Sequence, residues 1–248
     1  MDLRNANIIV TGGAKGMGKH FAEAAAKAGA KVFVGDVDEK GLAELPDPIG
    51  YAYLDVSSAE SRKAFLSQAS ASMGTVNVLL NNAGILRDAL LVKKDRQSGD
   101  ISVLDEATWK AVLDVNLTGA TMMVRDTVEN MLQLGAPEGV IVNMSSISRY
   151  GNRGQSNYVA SKAALAANTV TWAREFAPFN IRVGAIAPGM IETPMTEGMS
   201  NRAREAAVGA VPLKRIGQPD EIWKGIQFII ECTYFTGSTI DIHGGLTF

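Results

Sequence analysis

The chain has 248 residues, 46% of them hydrophobic and 20% charged, the profile of an ordinary globular protein long enough for one large core. A formal net charge of −2 gives no reason to expect nucleic acid or an anionic membrane as partner, and no apolar run approaches the roughly 20 residues that a bilayer-spanning helix needs. The single cysteine, Cys232, cannot form an internal disulfide, which fits a reducing cytoplasm, and the first residues enter a strand directly, so no secretory leader is expected.

Strand-type runs alternate with helix-type segments from end to end. Strands are predicted at 7–11, 31–36, 50–54, 77–81, 139–144, 181–187 and 239–242, and helices at 16–28, 58–72, 105–133, 157–176 and 218–231. Such alternation predicts a parallel sheet covered by helices on both faces. The fold class is therefore α/β, a single-domain doubly wound Rossmann fold with a central parallel seven-stranded sheet. Its cofactor half is expected at about 1–135, and its catalytic and substrate half at about 136–248. Ligands in such sheets bind at the carboxyl ends of the strands. The segments following the strand ends should thus converge on one edge.

The first such segment is Thr11-Gly12-Gly13-Ala14-Lys15-Gly16-Met17-Gly18, between a strand and an alanine-rich helix. Glycines allow a tight turn, and free N–H groups at a helix start can receive a pyrophosphate. The next strand ends in Asp36, followed by Val37. A carboxylate there can accept hydrogen bonds from ribose hydroxyls and repels a 2′-phosphate, which points to NAD. Lys15 is the contrary signal, because a lysine in the loop could reach that phosphate.

Tyr158 and Lys162 stand four residues apart, and Ser145 lies thirteen residues before the tyrosine. On a helix the phenol and the ammonium share a face. A nearby cation is expected to lower the phenol pKa from about 10, and Ser145 could hydrogen-bond a reacting oxygen. Ser146 and Ser148 are competitors for that place. His20 and His243 lie in unrelated contexts and no metal-ligand cluster is apparent, so no metal is expected. Cys232 reads as a packed helix residue.

Taken in order, these segments resemble the classical short-chain dehydrogenase/reductase family over about residues 3–248, and its 3-oxoacyl reductase-like branch most closely. The resemblance assigns Asp55 and Val56 to the adenine and Asn82, Ala83 and Gly84 to the wall of the cofactor cleft. Pro188, Gly189, Ile191 and Thr193 match the loop that holds the nicotinamide. Asn116 joins Ser145, Tyr158 and Lys162 as a catalytic tetrad. In the family pattern the tyrosine is the general acid or base and the lysine also holds the nicotinamide ribose. The serine orients the substrate oxygen, and the asparagine anchors a proton-relay water. The implied activity is NAD(H)-dependent interconversion of a secondary alcohol and a ketone. The alternatives are an NADPH-dependent 3-oxoacyl thioester reductase and, in another class, a non-catalytic dinucleotide-binding sensor or scaffold.

The substrate wall is expected from Ser145, Ile147, Tyr150, Gln155, Tyr158, Met190 and Met195, with Arg149 and Asn152 nearby. Arg149 and Arg153 could form a basic rim for a phosphopantetheine arm. A lid is expected at about 190–209. Residues 92–104 form a long polar connection whose Gln97-Ser98-Gly99-Asp100 has turn chemistry, compatible with a small hairpin or a solvated loop. The alanine face Ala160, Ala163, Ala164 and Ala167 fits either a homotetramer interface, as the family implies, or packing on the sheet.

Overall fold

The computed structural model describes residues 1–193, 196, 198 and 200–247. Among them lie nine strands: β1 (Asn7–Thr11), β2 (Lys31–Asp36), β3 (Gly50–Tyr53), β4 (Val78–Asn81), β5 (Val92–Lys94), β6 (Ile101–Val103), β7 (Gly139–Met144), β8 (Ile181–Pro188) and β9 (Ser238–Ile242). Seven of them form one sheet in the order β3-β2-β1-β4-β7-β8-β9, with every pairing parallel. The α-helices are α1 (Gly16–Lys27), α2 (Glu39–Ala43), α3 (Ala59–Met73), α4 (Glu106–Leu113), α5 (Ala120–Gln133), α6 (Ser156–Phe176), α7 (Asn201–Ala210) and α8 (Pro219–Glu231). This is the doubly wound Rossmann arrangement.

Period-two side chains divide the core between the two faces of the sheet. Ile8, Val10, Val32, Val34, Val78 and Leu80 face α1 and α8, where Phe21, Ile226 and Ile229 meet them. The intervening Ile9, Phe33, Leu79 and Ile141 face the opposite layer with Phe65, Met123 and Leu165. Strands buried on both faces read as continuous apolar runs, which is why they were legible. Strand order runs outward through β2 and β3 on one side of β1 and through β4, β7, β8 and β9 on the other. The reversal between β1 and β4 opens a crevice at their carboxyl ends.

Three features depart from the expected elements. The helix predicted at 105–133 is broken by a π-helical turn, Asp114–Gly119, between α4 and α5. The short α2 was not foreseen, although Asp38 caps it by accepting from the Gly41 N–H at 3.2 Å. Nor was α7, which Ser200 caps by accepting from the Ala203 N–H at 3.3 Å. The connection at 92–104 does form a hairpin, with β5 and β6 antiparallel.

Candidate functional site

The turn from β1 into α1 is set by backbone geometry. Gly12 has φ +68°, and a Cβ there would stand 2.7 Å from Ala83 Cα. A Cβ on Gly18 would stand 2.2 Å from the Gly12 carbonyl oxygen. Only glycine allows this approach of loop and helix. Thr11 Oγ1 accepts from the N–H groups of Asn82 and Ala83, each at 3.0 Å. Asn82 Nδ2 donates to the carbonyls of Thr11 and Gly12 at 3.0 and 2.9 Å. Thr11 thus staples β1 to β4 across the crevice, a task that its place in the glycine loop did not announce.

Lys15 stands at the N-cap of α1 without a side-chain cap bond. The first-turn N–H groups, from Gly16, Met17 and Gly18, are therefore not taken by a side chain, and they face an anion favourably. Asp36 ends β2 with its carboxylate fixed at both oxygens, Oδ2 accepting from the Ala14 N–H and Oδ1 from the Asp38 N–H, each at 3.0 Å. Val37 beside it is 59% exposed. Lys15 Nζ lies 3.3 Å from Asp38 Oδ2. Asp38 is held below its ordinary range first by the Gly41 N–H and then by Lys15. Asp55 Oδ1 accepts from Ser57 N–H and Oγ–H at 2.9 and 2.6 Å, and the Val56 carbonyl receives Arg62 Nη1 at 2.8 Å. A glycine cradle with uncapped N–H groups, a fixed carboxylate and an exposed valine fit a dinucleotide.

All four candidate catalytic residues meet at one place. The Asn116 carboxamide, fully buried, clamps the backbone of Ile85. Its Oδ1 accepts from the Ile85 N–H at 2.7 Å and its Nδ2 donates to the Ile85 carbonyl at 2.9 Å. The π turn carries this residue, a common device for re-aiming a functional position within a helix. A Cβ on Gly84 would lie 3.3 Å from Asn116 Oδ1 and 3.7 Å from Lys162 Nζ, so this bare backbone bridges asparagine and lysine. Lys162 Nζ donates to the Met144 carbonyl at 2.6 Å and lies 5.4 Å from the centre of the Tyr158 ring. Ser145 Oγ donates to the Lys162 carbonyl at 2.8 Å.

The electrostatics of the pair are set first by burial. Burial pushes the Tyr158 hydroxyl up, with a smaller opposing effect from Ser146 and a small further rise from Asp88. Burial likewise pushes the Lys162 ammonium down, to about 8. Desolvation is the first cause of both shifts. The opposing effect on the phenol comes from Ser146, whose Oγ also accepts from the Ser148 N–H at 3.1 Å.

The substrate wall is drawn together only in part. Gln155 Nε2 donates to Asp88 at 3.0 Å, and its Oε1 accepts from Ser148 and Asn152 at 3.1 and 2.9 Å. Ile147 is buried with Val211 and Leu246. Met190 and Ile191 line a cavity of about 120 Å³ with Leu213, Arg215 and His243. Tyr150 and Arg149 depart from expectation. Arg149 donates to Asp241 at 2.9 Å, Tyr150 donates to it at 3.2 Å, and the tyrosine is 59% exposed. A carboxylate on β9 thus holds both, and Arg149 is not available as a basic rim. Met195 lies outside the described residues.

The candidate nicotinamide loop leaves β8 at Pro188. The Gly189 N–H donates to the Ile242 carbonyl at 2.8 Å, and a Cβ on Gly189 would stand 2.7 Å from His243 Cα. The Thr193 N–H donates to Thr196 Oγ1 at 2.8 Å. Glu192 pairs with Arg204 of α7, which holds its carboxyl below the ordinary range. This pair ties the loop to the expected lid and went unread in the sequence. Among the described residues no group of His, Cys, Asp and Glu could hold a metal ion, and no helix is long and apolar enough to cross a membrane.

A doubly wound sheet with this crevice and this cluster defines a nicotinamide-dependent oxidoreductase, and the chain belongs to the short-chain dehydrogenase/reductase family. The family model described as enoyl-(acyl carrier protein) reductase matches residues 12–247. The 3-oxoacyl-(acyl-carrier-protein) reductase FabG of Thermotoga maritima is 40% identical, with 99% of each chain covered. The protein of the same name from Vibrio cholerae is 34% identical, again over 99% of each chain. Nodulation protein G of a Rhizobium species is 33% identical over 99% of this chain and 98% of its own.

Proposed function

We propose that this protein reduces the 3-oxo group of an acyl thioester to the 3-hydroxy group with NADH. The cluster of Asn116, Ser145, Tyr158 and Lys162 around Gly84 carries the reading. Two substrate classes were open from the residues alone, a free secondary alcohol or ketone and a 3-oxoacyl thioester. Full-length likeness to proteins named 3-oxoacyl-(acyl-carrier-protein) reductase favours the thioester.

Gly12, Gly16, Met17 and Gly18 would hold the pyrophosphate, and Asp36 and Val37 the adenosine ribose and base. Asp55 and Val56 would flank the adenine. Asn82, Ala83 and Gly84 would form the cleft wall, and Pro188, Gly189, Ile191 and Thr193 would support the nicotinamide end. Bound there, the nicotinamide supplies the hydride. NADH is favoured over NADPH because Asp36 is fixed at the end of β2 and Lys15 is engaged by Asp38. A 2′-phosphate would meet two carboxylates and a cation already paired.

At the reacting centre, a phenol kept protonated by burial is suited to give its proton to a carbonyl oxygen. Tyr158 would be that acid, with Ser145 turning its one O–H from the Lys162 carbonyl to donate to the same oxygen. Lys162 would hold the nicotinamide ribose beside the phenol, and the turn at Asn116 would seat the water that returns the proton. The same reading includes a homotetramer, because Ala167 of α6 is exposed while Ala160, Ala163 and Ala164 are half-buried.

The test is NADH oxidation with a 3-oxoacyl N-acetylcysteamine thioester beside simple, aryl and cyclic ketones. The thioester should have the highest kcat/KM by at least about tenfold, the order of discrimination a fitted pocket supplies. A free ketone turned over better would return the protein to the alcohol dehydrogenase reading.

A further inference from the structure

The strands of the hairpin β5–β6 are exposed at every position. Val92 pairs with Val103, Lys93 with Ser102 and Lys94 with Ile101, and all six are exposed. Its turn is closed by its own residues. Asp95 Oδ1 accepts from the N–H groups of Gln97 and Ser98 at 2.8 and 2.9 Å, and the Asp95 N–H donates to the Asp100 carbonyl at 2.8 Å. Beside the hairpin lies an open basin of about 590 Å³, lined by Leu90, Val92, Gln97, the cations Lys93, Lys94, Arg96 and Arg153, and Asp95 as its one carboxylate. No hydrogen bond or ion pair joins those four cationic side chains to another described residue. A chain of net charge −2 thus places four uncommitted cations around one hollow.

The basin is physically joined to the candidate site. The Ala89 N–H donates to the Gly154 carbonyl at 2.8 Å, Ala89 bridges Gln155, and Asn157 Nδ2 donates to the Arg87 carbonyl at 3.1 Å. The strip between β4 and the hairpin is thereby stitched to the start of α6. Arg153, on the basin wall, precedes Tyr158 by five residues. A substrate whose reacting carbonyl lies at Tyr158 and whose far end carries phosphates on a long flexible arm could span the two.

We infer that this basin binds the phosphate-bearing nucleotide end of a coenzyme-A-type thioester, an inference that rests on the thioester reading above. Two arginines offer planar forks to phosphate oxygens and two lysines add point charges. Four cations around one hollow match the clustered phosphates of that end of the molecule, and this charge match selects the compact ligand.

The experiment compares the wild type with a variant carrying Lys93→Gln, Lys94→Gln, Arg96→Gln and Arg153→Gln. Both would be assayed with one 3-oxoacyl group carried on coenzyme A, on N-acetylcysteamine and on acyl carrier protein. The variant should raise KM for the coenzyme A thioester about tenfold and leave kcat within about twofold, with the N-acetylcysteamine thioester unaffected. Added salt should raise the wild-type KM for coenzyme A and not that of the variant. Loss confined to the carrier-protein substrate would instead make the basin a protein-docking face and overturn the inference. An equal loss on all three, or none, would overturn it as well. A separate titration of NADH-saturated enzyme with 3′-phosphoadenosine 5′-diphosphate reads the basin without turnover. Binding lost in the variant supports the inference even if no thioester is reduced, in which case the thioester reading alone falls. Absence of binding to the wild type overturns it.

Discussion

The start of α6 and the hairpin β5–β6 are neighbours joined through Ala89 and Gln155, yet they are built on opposite principles. Around α6 nearly every polar group is committed. Lys162 is bound to Met144 and Asn116 to Ile85. In the hairpin the backbone closes on itself while Lys93, Lys94 and Arg96 line an open basin, joined there by Arg153 from the approach to α6. A proton-transfer site must hold its groups in place before the substrate arrives, so that reorganisation is not charged to the reaction. A site for a polyanion needs charge more than position. The two regions differ in the way that chemistry and capture differ.

The largest separation should appear in catalysis. Ser145→Ala removes a donor to the reacting oxygen and should cut kcat by about 10²-fold, the usual scale for one such donor. Ser146→Ala should cost much less. Steady-state assays of both would reassign the role if Ser146→Ala proved the more damaging.

Stability offers the next contrast. Asn116→Ala leaves the Ile85 N–H and carbonyl without their partners and should cost about 2 kcal/mol. Lys94→Gln, in the hairpin, should stay within about 0.5 kcal/mol. Denaturant unfolding of the pair measures both, and equal losses would erase the contrast between a committed and an open region.

Cofactor choice should move less. Asp36→Asn removes the charge opposed to a 2′-phosphate and should shift the NADH to NADPH ratio of kcat/KM by about tenfold toward NADPH. An unchanged ratio would mean that Asp36 does not read the ribose.

A further contrast concerns pH. Lys162 has its folded-state pKa lowered from 10.5 to about 8 by burial, so between those values the unfolded chain binds more protons than the folded one. Stability should therefore gain from this group as pH rises from about 8 toward 10.5. Below about 8 the cost of its burial as a cation is fully present. Lys162→Met should flatten that slope in unfolding experiments across pH 8–10, and an unaltered slope would show that the buried ammonium is not its source.

Much of this architecture was legible because two signals were strong. Continuous apolar runs such as Asn7-Ile8-Ile9-Val10 mark strands buried on both faces, and the spacing of Ser145, Tyr158 and Lys162 survives intact in the structure. What stayed hidden depends on contacts between distant segments. The π turn at Asn116 follows from the clamp on Ile85, 31 residues earlier, and no local pattern states it. Arg149 looked free until β9 brought Asp241 to it, 92 residues later. The direction of the Tyr158 shift depends on how deeply the phenol is buried, which spacing along a helix does not report. The short helix α2 did carry a local signal, an aspartate three residues before Gly41 at a helix start.

The central claim is that the Tyr158 hydroxyl protonates the carbonyl oxygen of a 3-oxoacyl thioester as NADH is oxidised. It is tested most directly by Tyr158→Phe, measuring NADH oxidation with the N-acetylcysteamine thioester and NADH binding by fluorescence on the same preparation. Turnover should fall by about 10²–10⁴-fold while NADH affinity stays within about threefold, because the phenol hydroxyl is asked for a proton and not for binding. Turnover close to that of the wild type would contradict the claim.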